Sequence, residues 1–413
     1  MYRQERLTSL LAGKRILIAG YGREGRSTEH MIRRLDANAH ITIADGNEAI
    51  AHEVTGSYDM IVKSPGVPMR MMAGATAPVT SQTDLFLQVF ADIVIGVTGT
   101  KGKSTTASLI HHLLPNSILA GNIGIPLFDI VNQIAEGSLV VAELSCHQLE
   151  VLHRSPHFAV VLNLFQEHLD HYDDYMGYKM AKMQIGLHQS ADDHLFYCST
   201  NDELSQLIAH LPMPGHLHPY PQTITADEQR LLEACPLVGG HFRDDTLVAC
   251  RVAALASGQP VDSFADRMAS FHGLHHRLEF IADKRGISWY DDSISTIPEA
   301  TIAALNALGN VDTLILGGFD RGIDYSPLAR HLSAHPVRNI VLVGDAGRRI
   351  GELLHTGANL LYENDYTRIV PWCAAHTRQG TACLLSPAAA SYDAFNNFEQ
   401  RGDFFAQQIH LLP

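Results

Sequence analysis

The chain has 413 residues, enough at about 150 per domain for two or three domains that each bury a core. With 44 acidic against 30 basic side chains, its formal net charge of −14 argues against non-specific nucleic-acid binding. Any anionic substrate must then be held by local Lys, Arg, helix termini or divalent cations. The six cysteines (Cys146, Cys198, Cys235, Cys250, Cys373, Cys383) contain no C-x-x-C pair, which speaks against a metal knuckle or a disulfide framework.

No apolar run reaches the ~20 residues that a membrane span needs. The opening Met1-Tyr2-Arg3-Gln4-Glu5-Arg6 carries charge where a signal peptide needs an apolar core. The expectation is a cytoplasmic monomer acting on small molecules, with no nucleic acid and no membrane insertion.

In chain order, the first strand signal runs from Lys14 to Ala19. It enters Gly20-Tyr21-Gly22-Arg23-Glu24-Gly25, then a helical pattern through Met31, Ile32 and Leu35, then a second strand from His40 to Asp45. This is a βαβ unit with a G-x-G-x-x-G turn and an acidic residue, Asp45, about 20 places past the last glycine. Taken alone it fits a dinucleotide site for NAD, or equally a Rossmann-like domain for any nucleotide or pyrophosphate. A further strand, Met60 to Lys63, ends in Ser64-Pro65-Gly66-Val67, a turn whose amides can face an anion. The first domain is expected to span residues 1–91.

The most informative stretch is Gly96-Val97-Thr98-Gly99-Thr100-Lys101-Gly102-Lys103-Ser104-Thr105-Thr106. It follows the apolar run Ile93-Val94-Ile95 and leads into a helix with Leu109, Ile110, Leu113 and Leu114. Strand, glycine-rich turn and helix start make a phosphate-binding loop, in which backbone amides and the helix N-terminus favour phosphate oxygens. Lys103 would reach the β- and γ-phosphates of a nucleoside triphosphate and the Ser104 hydroxyl would ligate Mg2+. The strict pattern wants its first glycine at Val97, one place later than it stands.

A central domain over residues 92–271 then places Glu143 at the end of the strand Ser138 to Glu143. Asn163 ends the strand that starts at Phe158, and His168 follows soon after. In doubly wound sheets this is where ligands sit. A helix carrying Tyr178, Lys179 and Lys182 comes next, whereas residues 186–245 give no chemistry. His272 to Arg277 reads as a glycine-containing hinge. Strands at Ile287–Tyr290, Thr313–Leu316, Asn339–Val343 and Ala382–Leu385 build a third α/β unit over residues 272–413.

These motifs, in this order and over nearly the whole chain, resemble the Mur ligase family. The resemblance rests on Thr98 to Ser104, Gly121-Asn122-Ile123-Gly124, Glu143-Leu144-Ser145-Cys146-His147-Gln148 and Asn163 with Glu167, His168 and Asp170. Tyr178 with Lys182, His276-Arg277, Asp292-Ser293, Gly317-Gly318 and Ser386-Pro387 continue it. The stretch from Ser391 to Gly402 is similar to the D-glutamate-adding branch of that family.

The resemblance implies three domains. They are an N-terminal Rossmann-like domain for the uridine diphosphate, a central P-loop ATPase domain on a parallel sheet, and a C-terminal Rossmann-like domain for the incoming amino acid. It implies an ATP-dependent ligase joining glutamate, D-glutamate first, to UDP-MurNAc-L-Ala through an acyl phosphate, with two Mg2+ ions. By the same resemblance Gly99, Thr100, Lys101, Gly102, Lys103, Ser104, Thr105, Thr106, Arg277 and Asp292 bind ATP. Lys103, Glu143, His168 and Lys182 are catalytic, and Ser104, Glu143, His168 and a carbamylated Lys182 hold metal. Gly20, Gly22, Arg23, Asp45, Ser64, Gly66 and Asn122 take the UDP-substrate. Thr296, Arg321, Ser391 and Phe398 line the amino-acid pocket.

One departure stands out. Ile294 follows Asp292-Ser293 where the D-glutamate ligases carry lysine, so an anchor for the acceptor's carboxylate is missing and L-glutamate becomes possible. Arg321, where many members have lysine, can grip a carboxylate bidentately. Two rival readings stay open: a folylpolyglutamate synthase-like ligase, which usually begins near the phosphate loop, and an NAD-binding regulator or oxidoreductase, which leaves Glu143, His168 and Lys182 without a purpose.

Overall fold

The computed structural model describes residues 2–167, 171–172, 174–235, 242–271 and 273–413. Among them the chain forms sixteen strands in three sheets and divides into two compact units, the first running to Ser270 and the second from Phe271. The first unit carries two sheets. Strands β1 (Arg15–Ala19), β2 (His40–Ala44), β3 (Met60–Lys63) and β4 (Val79–Thr80) pair in parallel in the order β2-β1-β3-β4. The second sheet comprises β5 (Val94–Thr98), β6 (Ser117–Gly121), β7 (Leu139–Glu143), β8 (Phe158–Val161), β9 (His194–Cys198) and β10 (His216–Tyr220). All pairs are parallel, in the order β10-β9-β8-β5-β7-β6.

β5, β7 and β8 are buried on both faces, which is why they read as unbroken apolar runs rather than alternations. Within this unit Lys63, the last residue of β3, is fully buried and pairs with Glu150 at 2.7 Å. Ser27 donates to Asp129 at 2.6 Å. Each contact ties the first sheet's layer to the second's.

The second unit holds β11 (Glu279–Lys284), β12 (Ile287–Asp291), β13 (Val311–Gly317), β14 (Asn339–Val343), β15 (Asn359–Tyr362) and β16 (Ala382–Leu385), ordered β11-β12-β16-β13-β14-β15. Only β11–β12 is antiparallel. Residues along the central strands alternate between two cores: Leu314, Leu316, Ile340, Leu342 and Leu384 face one, and Ile315, Val341, Val343, Cys383 and Leu385 face the other. Helices on both faces are the consequence.

The sequence reading missed β4, β6, β9, β10, β11 and β15. β15 is an edge strand with mostly exposed side chains, so it lacks the apolar run of its neighbours. β11 is the first arm of an antiparallel hairpin, whose signal is the Lys284–Ile287 turn rather than its own composition. The featureless stretch 186–245 holds β9, β10 and two capped helices, Asp202–His210 and Ala226–Ala234.

Candidate active site

The turn after β5 is built by left-handed backbone at Gly102 (φ 85°), which caps the helix Lys103–Leu113. A side chain there would be strained, and its Cβ would lie 2.5 Å from an Asp245 oxygen. Asn163 clamps the turn from the end of β8. Its carboxamide oxygen accepts from the amides of Thr100 (3.1 Å) and Lys101 (2.8 Å), and its nitrogen donates to Lys101 O (3.1 Å). Lys101 pairs with Glu167. The first helical bond runs from Thr106 N–H to Gly102 O (2.9 Å), so the amides of Lys103, Ser104 and Thr105 lie ahead of the ladder, at a helix end of the kind that favours anions. The structure thus divides the sequence-predicted loop: Thr100 and Lys101 spend their amides on Asn163, whereas those of Lys103, Ser104 and Thr105 precede the helical ladder.

Two lysines meet under this turn. Lys103 Nζ donates to Gly99 O and Thr100 O, both at 3.1 Å, and Lys182 Nζ donates to the same Gly99 O at 2.8 Å. Lys182 comes from the helix Tyr175–Leu187, capped by Asp174, which places Tyr178 and Lys182 four residues apart on one face. Tyr178 OH bonds the Thr100 hydroxyl at 2.8 Å, and the Lys182 ammonium lies 4.8 Å from the Tyr178 ring centroid. Burial lowers the pKa of both lysines, Lys182 to about 8. Two ammonium ions on one carbonyl oxygen repel each other, so at least one is disposed to lose its charge.

Glu143 closes β7 and is 2 % exposed. One oxygen accepts from Asn122 Nδ2 at 2.8 Å; the other is buried with no hydrogen-bond partner among the described residues. A buried carboxylate oxygen with no donor is costly to desolvate, and it has the chemistry of a cation ligand. His168 and Asp170 lie outside the described residues.

Asn122 also lines a cavity of about 470 Å3 at the carboxyl ends of the first sheet, together with Gly20, Gly22, Arg23, Asp45, Ser64 and Gly66. All seven residues expected to take a nucleotide there come together around this cavity. Asp45 accepts from Tyr21 N–H (2.9 Å), the Ser64 hydroxyl donates to Gly20 O (2.6 Å), and Arg23 donates to Gly124 O (2.7 Å). Gly25 is needed for packing, since a Cβ would stand 2.3 Å from Gly20 O. Asn122 therefore touches both the cavity and the Glu143 carboxylate.

In the second unit Asp292, just past β12, is buried. It accepts from Ser386 Oγ (2.6 Å) and Leu278 N–H (3.1 Å), and burial raises its pKa to about 6. It does not cap the following helix, Pro298–Leu308, whose N-cap is Ile297. Arg277 carries a buried Nε without a hydrogen-bond partner among the described residues. Arg321 donates to Thr296 O at 2.8 Å, Ser391 is buried, and Phe398 opens the helix Phe398–Leu411 capped by Asn397. Arg321 and Thr296 are thus in contact.

Residues 97–218 match the family model of the Mur ligase middle domain. The chain is 33 % identical to the UDP-N-acetylmuramoyl-L-alanine–L-glutamate ligase of Salinispora tropica, with 97 % of this chain and 98 % of that one aligned. The chain belongs to the Mur ligase family. It is also 30 % identical to the UDP-N-acetylmuramoylalanine–D-glutamate ligase of Limosilactobacillus fermentum, over 97 % of each chain. The fold is similar to that of the UDP-N-acetylmuramate–alanine ligase of Thermotoga maritima, with a TM-score of 0.57, 15 % identity, and 96 % of this chain and 99 % of that one covered. No helix among the described residues is long and apolar enough to cross a membrane.

For this Mur ligase the sequence reading missed Asp245 and Glu24. Asp245 sits in the first turn of the helix Phe242–Ser257, inside the stretch that seemed empty of chemistry, and abuts Gly102. Glu24 occupies an unspecified position of the G-x-G-x-x-G turn yet lines the cavity, accepts from Gln148 Nε2 at 2.5 Å and keeps a buried second oxygen with no hydrogen-bond partner among the described residues. Burial raises the pKa of each carboxyl to about 7. No sequence period marks either residue, because each matters through a contact made across the fold.

Asp245 yields a stability prediction. An unfolded Asp ionises near pH 3.9, whereas folded Asp245 resists until about 7, so the folded state is increasingly penalised between those values and fully so above them. Asp245→Asn is expected to raise stability by about 1–3 kcal/mol at pH 8 and by nothing at pH 4. Thermal melts across that range check it; a gain that shrinks as pH rises would contradict it.

Proposed function

We propose that this Mur ligase carries out the ATP-dependent joining of glutamate to UDP-MurNAc-L-Ala in peptidoglycan precursor synthesis. The observation that carries the reading is the chain of contacts from the nucleotide cavity through Asn122 to Glu143, with the phosphate loop beside it on β5. The substrate's uridine diphosphate would occupy the cavity, held by the Gly20–Gly25 turn, Arg23, Asp45, Ser64 and Gly66. The free alanyl carboxylate would then be directed toward the loop. ATP's phosphates would lie on the amides of Lys103, Ser104 and Thr105, with Lys103 Nζ leaving its loop carbonyls for phosphate oxygens. By the family resemblance, Arg277 would contact phosphate and Asp292 the ribose hydroxyls of the nucleotide.

The alanyl carboxylate attacks the γ-phosphorus, the bond to the β-bridging oxygen breaks, and ADP leaves with that electron pair. The glutamate amine attacks the resulting acyl carbon, phosphate departs, and the ammonium loses a proton to give the amide. Cations along this path are essential, because two anions approach one another. The buried, donor-less oxygen of Glu143, the hydroxyl of Ser104 and a carbamylated Lys182 fit Mg2+, which prefers carboxylate and hydroxyl oxygens and, when bound, would neutralise developing phosphate charge.

For the acceptor's handedness, a specific residue favours L-glutamate over the D-glutamate that motif order alone implies. The Ile294 side chain offers no charge or donor where D-glutamate ligases carry lysine, and relatives named for L-glutamate match at 33 and 34 %, against 26–32 % for relatives named for D-glutamate. Phosphate release with UDP-MurNAc-L-Ala and either enantiomer tests both layers. We expect at least about tenfold higher kcat/KM with L-glutamate, the discrimination that one lost carboxylate contact accounts for. Preference for D-glutamate would overturn the stereochemical reading alone; turnover with neither would overturn the function.

A further inference from the structure

The turn that leads into β11 holds two non-glycine residues in the left-handed region, His276 (φ 62°) and Leu278 (φ 47°), one on each side of Arg277. L side chains disfavour that region, and strain of this kind persists only where surroundings over-determine the backbone. Here they do. His276 N–H donates to Glu279 Oε2 (2.8 Å), Leu278 N–H to Asp292 Oδ1 (3.1 Å), Arg277 N–H to Leu274 O (3.1 Å) and Ile294 N–H to His276 O (3.1 Å).

The centre of the arrangement is a buried pair, His276 Nδ1 to Asp291 Oδ2 at 2.7 Å, with the other Asp291 oxygen accepting from Ser293 N–H at 2.8 Å. The helix Phe398–Leu411 lies directly on this pair. A Cβ at Gly402 would stand 2.1 Å from His276 Nδ1 and 2.4 Å from Asp291 Oδ2, so only glycine permits the seating. What this framework presents is Arg277, whose buried Nε has no hydrogen-bond partner among the described residues.

We propose that His276, through its pair with Asp291, is a positioning residue that fixes the backbone on either side of Arg277 so that its guanidinium is aimed at an oxyanion, in the reading above the phosphate chain of ATP. The inference rests on that reading for the ligand and on the turn's geometry for the role. Burial alone would lower the His276 pKa, but the hydrogen bond and charge of Asp291, with Asp403 and Glu279, outweigh it and raise it. Asp291 thus favours the charged form of His276, and a charge-assisted contact is more directional and stronger than a neutral one. The remaining charged groups around the turn are His275, which pairs with Glu279 at 3.0 Å, and Arg401, whose field acts on Asp291 and whose own donors go to Ser293, Ala389 and Ala390.

The test is a double-mutant cycle on the full-length enzyme, reading KM for ATP, KM for UDP-MurNAc-L-Ala and kcat. His276→Leu, which removes the donor and disfavours left-handed backbone, is expected to raise KM for ATP about tenfold or more and leave KM for the uridine substrate within about twofold. His276→Asn keeps a donor near the Nδ1 position and tolerates the backbone, so it should restore most of the loss. In the pair His276→Leu/Arg277→Ala, the histidine substitution should add little to the arginine one.

Additive effects, or failure of His276→Asn to rescue, would overturn the positioning role while leaving Arg277 as an ATP ligand. If Arg277→Ala leaves KM for ATP unchanged, the ATP reading of Arg277 and this inference fall together. Should His276→Leu fail to fold, Asp291→Asn in its place carries the same expectation at about threefold, and its lack of coupling to Arg277→Ala would equally overturn the role.

Discussion

Replacing Lys103 by alanine is expected to lower the kcat of glutamate-dependent ADP formation by about 10³-fold, equivalent to about 4 kcal/mol of transition-state stabilisation. The size follows from where the ammonium sits. Lys103 opens the helix after β5 and is held under the turn by two carbonyls, Gly99 O and Thr100 O, at 3.1 Å each. Those carbonyls are a resting place. Burial lowers the lysine's pKa, so the charged form is poorly solvated there and gains most when phosphate oxygens replace the carbonyls as acceptors. Charge on the transferring phosphoryl group is greatest in the transition state, which is why the loss should appear in kcat more than in KM for ATP.

The helix's apolar face, with Ala107, Leu109, Ile110 and Leu113 buried, does not involve this side chain, so circular dichroism and binding of the uridine substrate should be unchanged. Undiminished ADP formation by Lys103→Ala would sink the phosphoryl-transfer reading of the whole loop.

How much of this was legible beforehand depended on whether chemistry was written locally. The phosphate loop was legible because strand, glycines and helix start are consecutive, and one misplaced glycine at position 96 did not matter once β5 and the helix flanked it. That Gly20, Gly22, Asp45, Ser64 and Gly66 gather around one cavity was legible in the same way, each being at the end of a strand or in the turn after it. Asn163 was noticed for its place at a strand end, but its role as a clamp on the Thr100 and Lys101 amides is a contact over more than sixty residues that no spacing encodes.

Asp245 and Glu24 were missed for the same reason. The left-handed residues flanking Arg277 were also invisible, because His and Leu carry no composition signal for positive φ in the way that glycine does. In the fold, strands buried on both faces announced themselves, whereas β11 and β15, at the rims of the third sheet, did not.

Replacing Lys182 by alanine is expected to cost at least about 10²-fold in kcat, and the nature of its rescue identifies what the residue contributes. An intact ammonium at this position is unfavourable on three counts. It is 2 % exposed, it shares Gly99 O with Lys103, and burial lowers its pKa to about 8. At pH 7.5 roughly a quarter of the side chain is then the free amine, against about a thousandth for an ordinary lysine, and only the free amine adds CO2.

Carbamylation converts a like-charged pair of lysines into an anion beside a cation and supplies an oxygen donor of the kind that Mg2+ takes. Falling pH protonates the amine and reverses the addition, so activity should decline on the acid side of about 8 and recover with added bicarbonate in degassed buffer. Acetate or formate should restore part of the activity of Lys182→Ala by placing a carboxylate in the vacated space, and methylamine should not. Rescue by methylamine instead would mean that Lys182 acts as a cation on the phosphate, and the metal-ligand reading of this side chain would be wrong.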